Sequence, residues 1–430
     1  MNKSFAGYFR HSQQIKAQRT QEQIMTLGVG GKTAAEALAT LSDMTAGVSP
    51  IGKDEHLARI QKATKLMQQQ GIAAIYLNAG TSLKYFTGTA WYASERLVGA
   101  LLTAQGELHY LAPVFELGTL TDYWLIEGEL HGWQEDESPY ALFIRVLREL
   151  GIAETDKVGL DENTAFFIAD GLKQQAPAQQ FINASCITAA CRQQKSAAEL
   201  ALMQRAMDMT LAVHQATASM LYEGIDTREV EAFIAQAHKK VGASGSYFVI
   251  VLFGVASSFP HGVKEPQQLK KGDVVLIDTG CKLHEYISDI TRTYVFGEAN
   301  ERQRHFWQLE KQAQAAAFAK AQLGTACGAV DDAARAVLTA AGLGPDYQLP
   351  GLPHRTGHGI GLDIHEWPYL VRGNQQPLLP GMCFSNEPMI CVPGEFGIRL
   401  EDHFYMTEEG PRWFTEPAYS IDDPFGLNRV

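Results

Sequence analysis

The sequence predicts an α+β protein made of two unlike parts, and three observations predict it. From Ile51 to about Ala190, amphipathic helical stretches alternate with short apolar runs, the pattern of a compact α/β domain. After Cys191, long helical stretches lead into paired strand patterns, and the chain ends in strand-rich and turn-rich text. The composition, 46% hydrophobic and 20% charged over 430 residues, supplies enough apolar surface for two or three domains with real cores. The second part is expected to be helices covering a strongly curved antiparallel sheet.

Taken in order, residues 1–50 are rich in Gln, Ala and Thr. Their apolar positions (Ile24 and Leu27; Leu38, Leu41 and Met44) sit at roughly helical spacing, so a helical extension is expected there. GVGGKT (Gly28–Thr33) has the look of a phosphate loop, but Thr26 stands where that pattern needs glycine and no strand leads into it; we reject it as a nucleotide site. Residues 51–190 form the first domain. HLARIQKATKLMQQQ reads as a helix stopped by Gly71, IAAIYLN as a buried strand, and LVGALLTAQGELHYLAP as a hairpin around Gln105-Gly106. SPYALFIRVLREL follows as a helix closed by Gly151, then DKVGLD as a short strand. Residues 191–430 form the second domain. A long helix begins after Ser196, a plausible N-cap with Glu199 three residues on, and a second covers TREVEAFIAQAHKK. SYFVIVLF and RTYVF read as strands, with helices through Arg302–Ala321 and Ala329–Ala341.

Composition also excludes partners. A net charge of −12 without a dense basic run argues against nucleic acid and anionic membranes, and no apolar run is long enough to span a bilayer. The N-terminus lacks a secretory apolar segment, and the six cysteines form no CxxC pair. A cytoplasmic protein with reduced thiols is expected.

The chemistry concentrates in four places. VVLIDTGCKLHEYISD carries Asp278 and Asp289 on neighbouring apolar runs, with turn composition over Gly280–Glu285, so it reads as a β-hairpin. Two buried carboxylates side by side repel and are costly to desolvate, and a hard dication, or a pair of them, would neutralise them. An ordinary hairpin with two solvent-facing aspartates is the competing reading. HRTGHGIGLDIHE gathers His354, His358 and His365 in a glycine-rich stretch that cannot be a regular helix. Neither HEYIS nor HEWPY supplies the second histidine of a helical zinc motif, so that class is excluded. SNEP places Glu387 in an apolar run, and RLED places Glu401 in an alternating strand beside Arg399. Four strand-borne carboxylates and a histidine make an oxygen-dominated donor set that suits two ions of the manganese, cobalt or iron type. Such a pair can activate water and polarise a carbonyl, which implies hydrolysis.

The order Asp278, Asp289 in YISDITRT, His358 in TGHGIGLDIHE, Glu387 in SNEP and Glu401 in RLED resembles the peptidase family with the pita-bread fold. That family includes methionine aminopeptidase, aminopeptidase P and prolidase, and the resemblance covers about residues 51–425. The first domain resembles the creatinase-type domain of aminopeptidase P, prolidase and creatinase, which implies Xaa-Pro substrates. The resemblance implies that Asp278 chelates one metal, that Asp289 and Glu401 bridge both, and that His358 and Glu387 complete the second. Glu387 would also accept the proton of a bridging water, giving a metal-bridging hydroxide. It further implies that His261, in FPHG, holds substrate near the scissile bond, that His354 lies at the proline side, and that His365 stabilises the carbonyl oxygen. Arg399 would stand behind the bridging glutamate. LNAGTSLKYFTGTAWYASERL is most similar to bacterial Xaa-Pro dipeptidases, so a manganese-dependent dipeptidase (prolidase) is expected, with cobalt, zinc or iron as other metals. Aminopeptidase P, acting on longer peptides, is the alternative. A metal-free creatinase-like hydrolase and a non-catalytic binding module fit less well, because all five ligand positions are kept. A homodimer is implied, with Trp91 and Tyr92 as candidates for reaching the partner's site.

Overall fold

The computed structural model describes residues 26–428, and the chain divides into two compact units. One comprises Ser49–Leu200 with the short segment Gly361–Trp367. The other comprises the described residues up to Val48, then Ala201–Ile360 and Pro368 onward. The segment carrying His365 therefore folds with the N-terminal unit although it lies far along the chain.

The N-terminal unit holds a six-stranded mixed sheet of β1 (Ile72–Asn78), β2 (Gly99–Thr103), β3 (Leu108–Pro113), β4 (Glu129–Trp133), β5 (Lys157–Leu160) and β6 (Gln180–Asn183). Its order is β4-β3-β2-β1-β5-β6. β1 lies between antiparallel β2 and parallel β5, which is why IAAIYLN is apolar almost throughout. One face packs Leu101, Leu111 and Trp133 against Leu142, Phe143 and Val146 of the helix Pro139–Glu149. The helix Lys53–Gln70 ends in a left-handed Gly71 and Ser196 caps Ala197–Ser219 through a reciprocal bond with Glu199, both as the sequence predicts.

In the C-terminal unit β7 (Ser246–Phe253), β8 (Val274–Leu283), β9 (Tyr286–Ile287) and β10 (Ile290–Val295) form one antiparallel sheet. A second sheet contains β11 (Gly357–Gly359), β12 (Glu366–Leu370, of which Pro368 onward belongs to this unit), β13 (Cys383–Asn386), β16 (Asp402–Thr407) and β17 (Gly410–Trp413). β14 (Met389–Val392) and β15 (Phe396–Arg399) pair as a separate hairpin. The helices Glu301–Lys320 and Cys327–Ala340 cover this core, where Trp307, Leu276, Phe384, Ile398 and Phe404 are buried together.

Two local expectations are corrected. The described part of the N-terminal extension holds one short helix, Ala34–Ala39, so Leu41 and Met44 lie beyond it; Ile24 falls outside the described residues. Asp43 bonds the Thr45 amide and Met44 bonds the Val241 carbonyl, so side-chain and long-range bonds replace the next helical turn. Thr33 is the N-cap of that helix, in a capping box with Glu36, so the glycine-rich stretch ends as a helix start. The hairpin turn is also tighter than Gly280–Glu285. Leu283 pairs with Tyr286, leaving His284 and Glu285 as the two turn residues, with φ of 46° and 74°.

Candidate metal centre

Strand register explains why the carboxylates meet. In the hairpin Thr291 faces Asp278 and Ile290 faces Thr279, so Gly280 stands opposite Asp289. Asp278, Asp289 and Thr291 therefore project from one face. Glycine at 280 is required by close approach, because a Cβ there would lie 1.7 Å from the Ser288 carbonyl oxygen. In the second sheet Gly359 pairs with Phe384 and Ser385 with His403, which sets His358, Ser385 and His403 in one row. Glu401 is two residues before His403, and Glu387 two after Ser385. A bridge between Thr291 and Glu401 joins the two strand systems.

The side chains are buried: Asp278 is 7% exposed, Asp289 4%, His358 2% and Glu401 1%. Asp289, His358, Glu401 and His403 each offer a ligand atom, and these atoms lie within 4.8 Å of one another. His358 Nε2 stands 3.1 Å from Glu387 Oε1 and 3.7 Å from Asp289 Oδ2. Its Nδ1 meets the Gly359 carbonyl at 3.0 Å, and its amide donates to Ser385 Oγ at 2.8 Å, which fixes the ring. Thr291 Oγ1 donates to Glu401 Oε2 at 2.6 Å and accepts from Arg399 Nε at 3.0 Å. Arg399 Nη2 donates to Asp278 Oδ2 at 2.5 Å. Arg399 stands near Glu401, linked to it through Thr291 Oγ1, and its direct ion pair is with Asp278.

Burial pushes the Asp289 and Glu401 carboxyls well above their ordinary values, and neighbouring carboxylates push the same way. Asp278 is also raised, mainly by burial and against the pull of Arg399. Glu387 goes down: burial would raise it, but the bond and charge of His358, with His354 and Arg399, outweigh that.

Whether cations fit is decided by the atoms left over. Asp278 Oδ1, Asp289 Oδ1 and Glu401 Oε1 are buried and have no hydrogen-bond partner. Four carboxylates share Arg399 and the His358 ring, so the pocket is short of positive charge and rich in oxygen donors. The donor set fits divalent metal ions.

His354 is half-buried near this pocket, with Nδ1 on the Arg355 carbonyl at 2.7 Å and Nε2 buried without a partner; burial lowers its pKa. His261 is exposed, and the Pro260 carbonyl before it accepts from Arg399 Nη1 at 3.0 Å. His365 is exposed and belongs to the N-terminal unit's segment. There Arg192 Nη2 bonds Glu366 at 2.5 Å and Asp363 at 2.6 Å, and Lys195 bonds Glu366 at 3.0 Å. Trp91 stacks edge-on to Tyr123, and Tyr92 is 93% exposed. Sequence reasoning missed His403, Thr291 and Ser385. The alternation in RLEDHF places His403 on the Glu401 face, a signal that was available.

The fold and site define a metallopeptidase. Residues 201–408 match metallopeptidase family M24, and residues 59–194 match the creatinase/prolidase N-terminal domain. The crystal structure of dipeptidase PepE from Mycobacterium ulcerans is similar, with a TM-score of 0.79 and 31% identity over 86% of this chain and 97% of that one. The Xaa-Pro dipeptidase of Pyrococcus furiosus is 28% identical over 83% of this chain and 97% of its own length. The prolidase structure from Thermococcus sibiricus gives a TM-score of 0.76 at 29% identity, covering 83% and 96%. The chain belongs to metallopeptidase family M24, with a creatinase-type domain before the pita-bread domain. Among the described residues no helix is long and apolar enough to cross a membrane.

Proposed function

We propose that the protein is a dinuclear-metal Xaa-Pro dipeptidase. The observation that carries the reading is the set of buried, unpartnered oxygens on Asp278, Asp289 and Glu401 in a pocket short of positive charge. The chemistry of these donors suits Asp278 as a ligand to one ion, Asp289 and Glu401 as bridges, and His358 and Glu387 as ligands to the other. When bound, the ion pair, manganese in our reading, supplies Lewis-acid polarisation of the carbonyl and acidifies water. Asp289 and Glu401, whose carboxyls are raised by burial and by neighbouring carboxylates, would give up protons on holding cations. Glu387, held ionised beside His358, accepts the proton of the attacking water. His354, kept neutral by burial, offers an unpartnered Nε2 to the proline side of the substrate. His261 and His365 take the positioning and carbonyl-stabilising roles. For both, the support is the motif match. Arg399 holds one oxygen of Asp278 through Nη2, while its Nε and Nη1 are fixed by Thr291 Oγ1 and the Pro260 carbonyl.

Selectivity for proline is supported by the relatives named Xaa-Pro dipeptidase and prolidase. The Xaa-Pro bond is a tertiary amide without an N–H, so a site that does not depend on strand-like pairing with that group handles it. Six free cysteines, five of them buried, support a reducing, cytoplasmic setting, and a homodimer completes the reading. The test is manganese-loaded enzyme offered a Gly-Pro-type dipeptide, an Xaa-Pro-Xaa tripeptide and a dipeptide without proline. Fastest cleavage of Gly-Pro is expected. Faster cleavage of the tripeptide would make it an aminopeptidase P, and equal cleavage of the proline-free dipeptide would remove the selectivity.

A further inference from the structure

The N-terminal unit contains a second cluster of ligand-type side chains, unrelated to the peptidase motifs. β3 and β4 run parallel, with His109 facing Glu129 and Leu111 facing His131. His109, Glu129 and His131 thus project from one face of the sheet, at the margin of the core formed by Leu101, Leu111 and Trp133. His109 is 5% exposed, and its Nδ1 lies 3.2 Å from His131 Nε2 and 3.4 Å from Glu129 Oε2. The second Glu129 oxygen is 3.9 Å from His131 Nε2. His109 Nε2 is buried without a partner, so the polar contacts of that ring are made by Nδ1, into the cluster.

Two ring nitrogens that face each other either share one proton in an N–H···N hydrogen bond or both turn a lone pair to a cation held between them. Bond lengths of about 2.0–2.1 Å to a tetrahedral zinc ion imply ligand separations of about 3.3–3.4 Å. The separations of 3.2 Å and 3.4 Å are close to that geometry, and a small turn of the exposed Glu129 carboxylate, whose other oxygen stands 3.9 Å from His131 Nε2, would complete it. The imidazoles must be neutral to ligate, and burial lowers the His131 pKa, against the pull of Glu129. Arg145 and Glu149, the charges on the covering helix that act on His131, lie 3.9 Å from each other, so they largely offset one another. Glu129, 66% exposed, leaves an entry path and room for a water ligand.

We infer that His109, His131 and Glu129 form a separate binding site for a borderline divalent cation of the zinc type, which clamps edge strand β4 to β3. Imidazole-rich ligation suits zinc, whereas the oxygen-rich pocket of the C-terminal unit suits manganese.

The test measures zinc bound to the full-length protein after dialysis against buffered free zinc, by elemental analysis. Wild type is expected to hold one zinc ion more per chain than His131→Gln. Glu129→Gln, altered at an exposed position that cannot disturb the core, should weaken that ion's binding at least about tenfold. An Asp289→Asn/Glu401→Gln variant should still bind zinc here, with an X-ray absorption edge showing two imidazole nitrogens. Equal zinc content in wild type and His131→Gln, or an edge without imidazole ligation, would overturn the inference.

Discussion

The N-terminal unit buries Arg192 and Lys195 against Glu366 and Asp363, with Thr81 Oγ1 also donating to Asp363 at 2.6 Å. The C-terminal unit buries Asp278, Asp289, Glu387 and Glu401 with Arg399 and the His358 ring. In the first cluster the charges balance. Burial alone would raise Glu366, but Arg192 and Lys195 reverse this and hold it down at about 2. In the second cluster burial and mutual repulsion win, and Asp289 and Glu401 are pushed up. Opposite charge balance separates a structural lock from a ligand pocket: the lock is complete in the chain alone, and in our reading the pocket is completed by cations.

The sharpest break of this comparison is Asp289→Ala. It should abolish metal binding and hydrolysis together, measured by elemental analysis and dipeptide turnover, yet leave chelator-treated protein no less stable, because a repulsive charge has gone. Next, Glu366→Ala should cost about 3–5 kcal/mol in denaturant unfolding, since it strands the buried Lys195 ammonium and leaves Arg192 only the partly exposed Asp363. Glu366 has its pKa lowered from 4.5 to about 2, so its stabilising contribution is full above about pH 4.5 and is lost as pH falls toward 2. An unfolding curve for Glu366→Ala that matched wild type at pH 7 would refute the lock.

His365→Ala should keep its metal content and lose about a hundredfold in kcat. Full rate in that variant would remove the carbonyl-stabilising role from His365. The smallest effect is a slope. The raised carboxyls of Asp289 and Glu401 bind more protons in the folded protein than in the unfolded chain. The stability of chelator-treated wild type relative to Asp289→Asn/Glu401→Gln should therefore fall as pH rises above about 4.5, a difference that cancels the opposite contribution of buried histidines such as His214 and His238, and manganese should flatten it. A difference equal at pH 5 and pH 8 would show that the pocket balances its own charge.

Much of the fold was legible because its signals are local. Gly71 and Gly151 stop helices, Ser196 and Glu199 start one, and a continuous apolar run marks the strand that carries Asp278, whereas Glu401, expected in a strand, lies between β15 and β16. The strand Glu129–Trp133, which carries Glu129 and His131, went unread because its alternation is weak and four of its five residues are partly or wholly exposed. His403 went unread because a single histidine in a strand looks structural until its neighbours across the sheet are known.

The sequence alone determined which side chains are available, in what order, and on which kind of element, because helix caps, turns and side-chain period are properties of adjacent residues. Only the tertiary structure decided the electrostatics. The Thr291–Glu401 bridge, the Arg399–Asp278 pair and the capture of Gly361–Trp367 by the N-terminal unit join residues scores of positions apart. No local pattern encodes such distances. Charge balance depends on them because Coulomb interactions in a buried pocket are set by separation in space and by the water excluded around them.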